Sequence, residues 1–277
     1  MGSKTPALAF ALLLGCSTTA KAAGEGMESF STHYLNCNAP LGYHFTKEQL
    51  TCPIGGETFD VLQLGTHSTF GMYLDRRPVS YLGLPGPLPV CPKNGMVVTR
   101  PKYTDEELKK IGEALASEEY KKIYAGQQAT YFLYAEQSRL AGFDDPSWGV
   151  RWQQLVSATW EADVCRDKEK YKAYATAAIA EMQAAFTAMT PKDEFYWTVG
   201  LLIPEMQRRL GDFDAAKESL LNLGGDLPED PEQKKSAALM IDVLKVALAR
   251  KDTNPVEVKE KYMEKEPVKK NPVKKKK

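Results

Sequence analysis

Two stretches, Cys52-Pro53-Ile54-Gly55-Gly56 and Cys91-Pro92-Lys93-Asn94-Gly95, combine residue types and spacing that could do chemistry. Each follows the frame C-P-x-C-G, in which two thiolates reach one Zn²⁺ across a tight turn and the glycine lets backbone amides face the sulfurs. Gly55 and Asn94 stand where the second thiolates would be. The pair therefore reads as a degenerate zinc ribbon that keeps its turns and half its sulfurs. Completing a metal site would require Cys37, His33, His44 or His67, and none lies at a ligand-like spacing. Neither a metal nor a cofactor is expected.

The other cysteines are read through the N-terminus. Lys4 precedes the apolar run Ala7 to Leu14, then Gly15-Cys16 and a small, polar stretch, the layout of an export signal over residues 1–22. Two cuts compete: Leu13-Leu14-Gly15-Cys16 resembles a lipobox that would lipidate Cys16, and Ala20-Lys21-Ala22 fits ordinary signal peptidase. The lipobox is placed first, with a bacterial outer membrane or periplasm as destination. Cys37, Cys52, Cys91 and Cys165 then remain in an oxidising compartment, where four cysteines allow three pairings. Cys52 and Cys91 occupy equivalent positions in turns that a ribbon would bring together, so a Cys52–Cys91 disulfide is expected, with Cys37–Cys165 as the second bridge.

No G-x-S-x-G, H-E-x-x-H, Walker A or G-x-G-x-x-G pattern occurs. Acid pairs such as Asp144-Asp145 and Glu118-Glu119 read as helix caps or solvated faces, so no catalytic residue is assigned and an enzyme is not expected. Trp148, Trp152 and Trp160, with Tyr131, Phe132 and Tyr134, are the candidates for a peptide groove. Aromatics at helical spacing are more often core, yet Tyr131 to Tyr134 surround one whole turn, so part of the set must be exposed. Trp148, Trp152, Tyr131 and Tyr134 are the assigned partner-binding residues.

The positioning elements follow from patterning. The chain has 277 residues, 43% of them apolar, with 36 basic and 36 acidic side chains. Lys269 to Lys277 holds six lysines and no acid, so the remainder is net acidic and nucleic-acid binding is disfavoured. Residues 27–102 are rich in glycine and proline, with short β-prone pieces at Thr58 to Leu64, Phe70 to Leu74 and Met96 to Thr99, a small module that needs a staple. Gly83 to Pro89 reads as an extended loop leading to Cys91.

Residues 103–250 read as seven amphipathic helices. Thr104 caps the first, which carries Leu108, Ile111, Leu115 and Ile123. The next covers Gln128 to Leu140, and a third follows Asp145-Pro146. The fourth spans Lys168 to Met189, and the fifth runs from Phe195 to Leu210 with Pro204 inside it. The last two contain Phe213 to Leu223 and Met240 to Ala247. Leu210-Gly211-Asp212-Phe213-Asp214-Ala215-Ala216 matches the turn and second helix of a tetratricopeptide repeat, whereas the preceding helix matches poorly. Residues 251–277 read as a disordered tail that could bind anionic lipid or envelope polymer through its lysines.

The order of these features resembles a bacterial domain family of unknown function that joins a twin C-P-x-C-G region to a TPR-like helical region. Thr51-Cys52-Pro53 with Phe59, Val90-Cys91-Pro92-Lys93 with Gly95, Asp105-Glu106-Glu107 and Leu210 to Ala216 carry the resemblance, which spans most of Leu50 to Leu223. The missing thiols and the export signal depart from it. It implies no activity. The sequence thus points to a mainly α chain, a TPR-like helical array preceded by a small β-rich, degenerate zinc-ribbon-like module. The expected role is an envelope interaction or assembly scaffold with a protein partner. The alternative is a soluble periplasmic metal- or ligand-binding protein that retains a reduced cysteine site.

Overall fold

The computed structural model describes residues 45–143, 150–223 and 227–263. The chain is mainly helical, with two small sheets on its N-terminal side. Strands β1 (Phe45–Thr51) and β2 (Thr58–Leu64) form an antiparallel hairpin, with Thr51 opposite Thr58 and Phe45 opposite Leu64. The first cysteine turn is its loop. Along β2, Phe59 and Val61 point inward, while Asp60 on the other face takes Lys47 of β1 at 2.6 Å. Strands β3 (Thr69–Met72) and β4 (Pro78–Ser80) make a second hairpin, with a register shift between Thr69 and Gly71. The expected strand at Met96 to Thr99 is a single bridge, Val97 to Val90. Gln137 takes the outer edge of Val97 instead, receiving its N–H at 2.7 Å and donating to its carbonyl at 3.1 Å.

The helices are α1 (Asp105–Ala116), α2 (Glu118–Ala125), α3 (Thr130–Leu140), α4 (Val150–Val164), α5 (Lys168–Thr187), α6 (Tyr196–Arg209), α7 (Phe213–Asn222), α8 (Pro231–Ala249) and the single turn α9 (Glu260–Met263). Thr104 and Glu107 form a reciprocal capping box at α1. That first stripe does not continue to Ile123 as one helix. Ser117 is extended, ends α1, and accepts from Tyr120 N–H as the cap of α2. Asp167, Asp212 and Asp230 cap α5, α7 and α8 in the same manner, with Pro231 at the start of α8. Gly211, at φ +84°, makes the turn between α6 and α7. Within α6, a Cβ at Gly200 would collide with Leu223 and crowd Phe186, so glycine is what lets those side chains close over α6.

Consecutive helices from α3 to α7 pack in chain order. One core lies among α3, α4, α5 and α6, around Leu155, Tyr174, Met182, Leu202 and Met206. A second joins α6, α7 and α8 and takes in Leu74 and Val256. Among the described residues, the β region shares its core with helices. Cys52, Phe59, Val61, Cys91 and Met96 share one cluster with Ile111, Ala114, Leu115 and Tyr120 of α1 and α2, because a segment this short can bury its apolar side only against helices.

The chain beyond α8 remains packed on the fold. Residues 252–258 return to the β3 hairpin: Leu74 N–H donates to Val256 at 2.8 Å, Tyr73 bridges Glu257, and Val258 N–H donates to Met72 at 2.8 Å. Val256 is buried there. The alternation Val256-Glu257-Val258-Lys259 is a strand pattern with one inward face, which gives this stretch the apolar content that the lysines beyond it lack. No described helix is long and apolar enough to cross a membrane.

Candidate functional site

The two cysteine turns are built alike. In the first, Cys52 N–H donates to Glu57 at 2.8 Å and Gly56 N–H to Cys52 at 3.1 Å; in the second, Cys91 N–H donates to Met96 at 2.8 Å and Gly95 N–H to Cys91 at 2.9 Å. Gly56 and Gly95 sit at φ +71° and +75°. Cys52 and Cys91 are joined, with an S–S distance of 2.13 Å and Cα atoms 5.7 Å apart. Cys165 is likewise disulfide-bonded. Cys16 and Cys37 lie outside the described residues.

Helix α2 holds the second turn. Tyr120 donates to the Gly95 carbonyl at 2.7 Å and Tyr124 to the Pro92 carbonyl at 3.2 Å. Glu57 and Asn94 fill the space that further thiolates would occupy. Asn94 Nδ2 stands 3.6 Å from Cys52 Sγ, and its Oδ1 accepts from Met96 N–H at 2.9 Å. A Cβ added at Gly55 would meet Glu57 Oε2 at 2.6 Å. That oxygen is buried and has no hydrogen-bond partner. Among the described residues, Cys52, Glu57 and Cys91 are the group whose ligand atoms gather within 4.8 Å.

The aromatic candidates divide differently from expectation. Trp148 lies outside the described residues. Trp152 is only 5% exposed, edge-on to Phe195 at 6.0 Å in the α3–α6 core, so it offers no face to a partner. Its inward position follows the same stripe as Leu155 and Val156. Tyr131 packs on that core, and burial, with Glu161 adding to it, pushes its hydroxyl up to about 12. Tyr134 is half-buried against Val90, Val97 and Leu133. Phe132 stacks on Tyr174 at 4.6 Å.

Beside these residues lies a buried ionic floor. Ala129 offers no side chain to cap α3, and Glu161 of α4 substitutes for one. Its carboxylate accepts from Thr130 N–H at 3.0 Å, Thr130 Oγ1 at 2.6 Å and Tyr131 N–H at 3.1 Å. Burial nevertheless raises it to about 7, against the lowering effect of those bonds. Asp163 accepts from Arg77 at 2.8 Å and Arg209 at 2.7 Å, tying the β3–β4 hairpin to α4 and α6. Arg208, fully buried, pairs with Glu205 at 2.6 Å and donates to the carbonyls of Asp252 and Asn254. These groups are enclosed and hold elements together.

The open site is at the other end. A groove of about 500 Å³ runs between α7 and α8 over Trp197 of α6. Leu220, Leu221 and Ile241 line it, and among the described residues its charged lining is Lys217 and Lys245. Leu221 is 81% exposed, the most exposed of the large apolar side chains described. No catalytic or metal-binding motif marks this groove in the sequence. A local signal did exist: Leu220 and Leu221 are adjacent in a helix, so they cannot both face the core. Comparison with family models, characterised proteins and solved structures gives no match to this chain.

Proposed function

We propose that this chain is an exported envelope protein, anchored through Cys16, that acts as an interaction or assembly scaffold through a TPR-like helical layer. The observation that carries the reading is the α7–α8 groove, an apolar surface of ligand-site size with an exposed leucine on its lip. Export rests on the N-terminal pattern and accords with cysteines that are paired. A photocrosslinking residue at position 221, introduced in living cells, is expected to yield a discrete adduct with another protein, and the same residue at Lys172 on the exposed side of α5 is not. Intact mass of protein from the native membrane fraction tests the anchor: a start at Cys16 with added acyl mass is expected, and a start at Ala23 would exclude it.

A second reading is favoured by one observation, the orphaned Glu57 oxygen beside the paired sulfurs. Reduced, Cys52 and Cys91 would offer two thiolates and Glu57 a carboxylate, a donor set that suits Zn²⁺. Joined, the sulfurs offer none. The reading requires a reducing setting, and competition of the reduced chain against a colorimetric zinc chelator tests it. No zinc retained by reduced wild type, or equal retention by E57Q, removes it.

A further inference from the structure

We infer that the α7–α8 groove docks an amphipathic helix of a partner protein, its apolar stripe laid over Leu220, Leu221 and Ile241 and its flanking carboxylates placed at Lys217 and Lys245. This rests on the scaffold reading and adds the class of partner. Among the described residues the groove offers no strand edge, because both walls are helices whose backbone groups are bonded along their own axes. An occupant must bring its backbone hydrogen bonds with it, which a helix does. Small-molecule sites enclose most of the ligand and aim a few buried polar groups at it. Here, among the described residues, the charged lining is two lysines at 52% and 63% side-chain exposure, and Leu221 stands open to solvent. A helix supplies the missing cover and turns its own polar back to water.

Charge selects the partner. Lys217 lies four residues before Leu221 on α7, and Lys245 four residues after Ile241 on α8, so each wall presents one apolar and one cationic residue on the same face. Their present partners, Asp214 at 3.4 Å and Asp242 at 3.9 Å, are exposed neighbours on the same helices. Such pairs are worth at most about 1 kcal/mol and exchange readily for an incoming carboxylate. Among the described residues, the groove is lined by these two cations and by no acid.

The test uses the full chain and three dye-labelled 18-residue helical peptides that share one leucine stripe at i, i+3, i+4 and i+7, flanked by Glu, Gln or Lys. Fluorescence anisotropy is expected to rank them Glu, Gln, Lys. The Glu peptide should bind about tenfold tighter than the Lys peptide at low salt, with the gap narrowing at 0.5 M salt. L221D, a change at an exposed position, should abolish binding of all three while leaving the thermal transition in place. K217E/K245E should reverse the ranking. Equal binding of the three peptides, or a ranking unmoved by K217E/K245E, overturns the acidic partner and leaves the groove as a scaffold surface. Binding of none overturns the helical occupant, as does displacement of the Glu peptide by palmitate at stoichiometric concentration, which would make the groove an acyl site. A concentration-dependent dimer that L221D dissolves assigns the groove to a second copy instead. Loss of the crosslinked adduct at position 221 would count against the scaffold reading itself, whatever the peptides do.

Discussion

At the cysteine-turn end the two turns face each other across a covalent bond, and Tyr120, Tyr124 and Gln137 each reach in from a helix to bond a backbone group of the second turn or the segment after it. At the α7–α8 end two helices splay over Trp197, and a leucine and two lysines face water. A segment without a core of its own needs such redundant ties to keep one conformation. A surface meant for a partner must leave its apolar contacts unmade until the partner arrives. Changes at the tied end should therefore cost stability, and changes at the open end should cost binding alone.

The largest expected loss lies between the two ends, at Arg208. Arg208→Ala would leave Glu205 buried without its hydrogen-bonded counter-charge and release the carbonyls of Asp252 and Asn254. Removing one partner of a buried pair costs about 3–5 kcal/mol. The returning segment should loosen first, so amide exchange at Leu74 and Val258, both bonded across that junction, is expected to rise with the drop in thermal midpoint. An unchanged midpoint would mean that Val256 packing and the backbone bonds to the β3 hairpin hold the segment without Arg208.

Next in size is the cysteine bridge. It closes a 39-residue separation, and constraining the unfolded chain over such a loop contributes about 3 to 4 kcal/mol in the chain-entropy model. C52S/C91S should lower the denaturation midpoint accordingly and leave peptide binding at the far groove unaltered. A binding defect in that variant would show that the two ends are coupled and would break the contrast between them.

A smaller and pH-dependent effect belongs to Glu161. Burial raises its folded pKa from 4.5 to about 7, so the folded state holds a proton that the unfolded chain has released. Its contribution is full below about pH 4.5, is lost as the pH rises to about 7, and changes no further above that. Burial pushes Glu205 the same way, with Arg208 opposing, so E161Q should reduce the slope of stability between pH 4.5 and 7 without abolishing it. Denaturant midpoints at intervals across that window measure the difference, and an unchanged slope would exclude Glu161 as the source.

Legibility followed locality. Thr104 with Glu107, Asp167 before α5 and Gly211-Asp212 before α7 are caps and turns made within a few residues, and the helices start where these signals stand. The cysteine turns are local in the same sense, because each hydrogen-bond frame closes within six residues. Strand β1 was not legible. Thr46 to Gln49 is polar and exposed, and it is a strand because β2 is beside it. The same holds for Glu161, whose partners lie about 30 residues away in sequence, and for the two carbonyls that Arg208 reaches about 45 residues on, although its pairing with Glu205 is local. The helical period at Trp152 carried the information, but periodicity alone does not say whether an aromatic stripe faces a core or a groove. The α7–α8 groove depends on how two helices sit over Trp197 of α6, which neither helix's own stripe states.

The smallest stability effect, and the one that most sharpens the comparison, is expected at Leu221. Its side chain is 81% exposed, so Leu221→Asp removes little buried area and should shift the unfolding free energy by no more than about 0.5 kcal/mol. Asp at this position would stand four residues from Lys217 on the same helix face, a pairing that offsets part of the cost of an acid in the last turn of α7. Neighbouring Leu220, by contrast, packs against the core beneath α7, and Leu220→Asp should destabilise the chain measurably. Denaturant midpoints for the two variants, set beside binding of the Glu-flanked peptide, separate a surface that holds the fold from one that the fold holds out. If Leu221→Asp unfolds the chain as Leu220→Asp does, the groove is part of the core's closure and the contrast between the two ends fails.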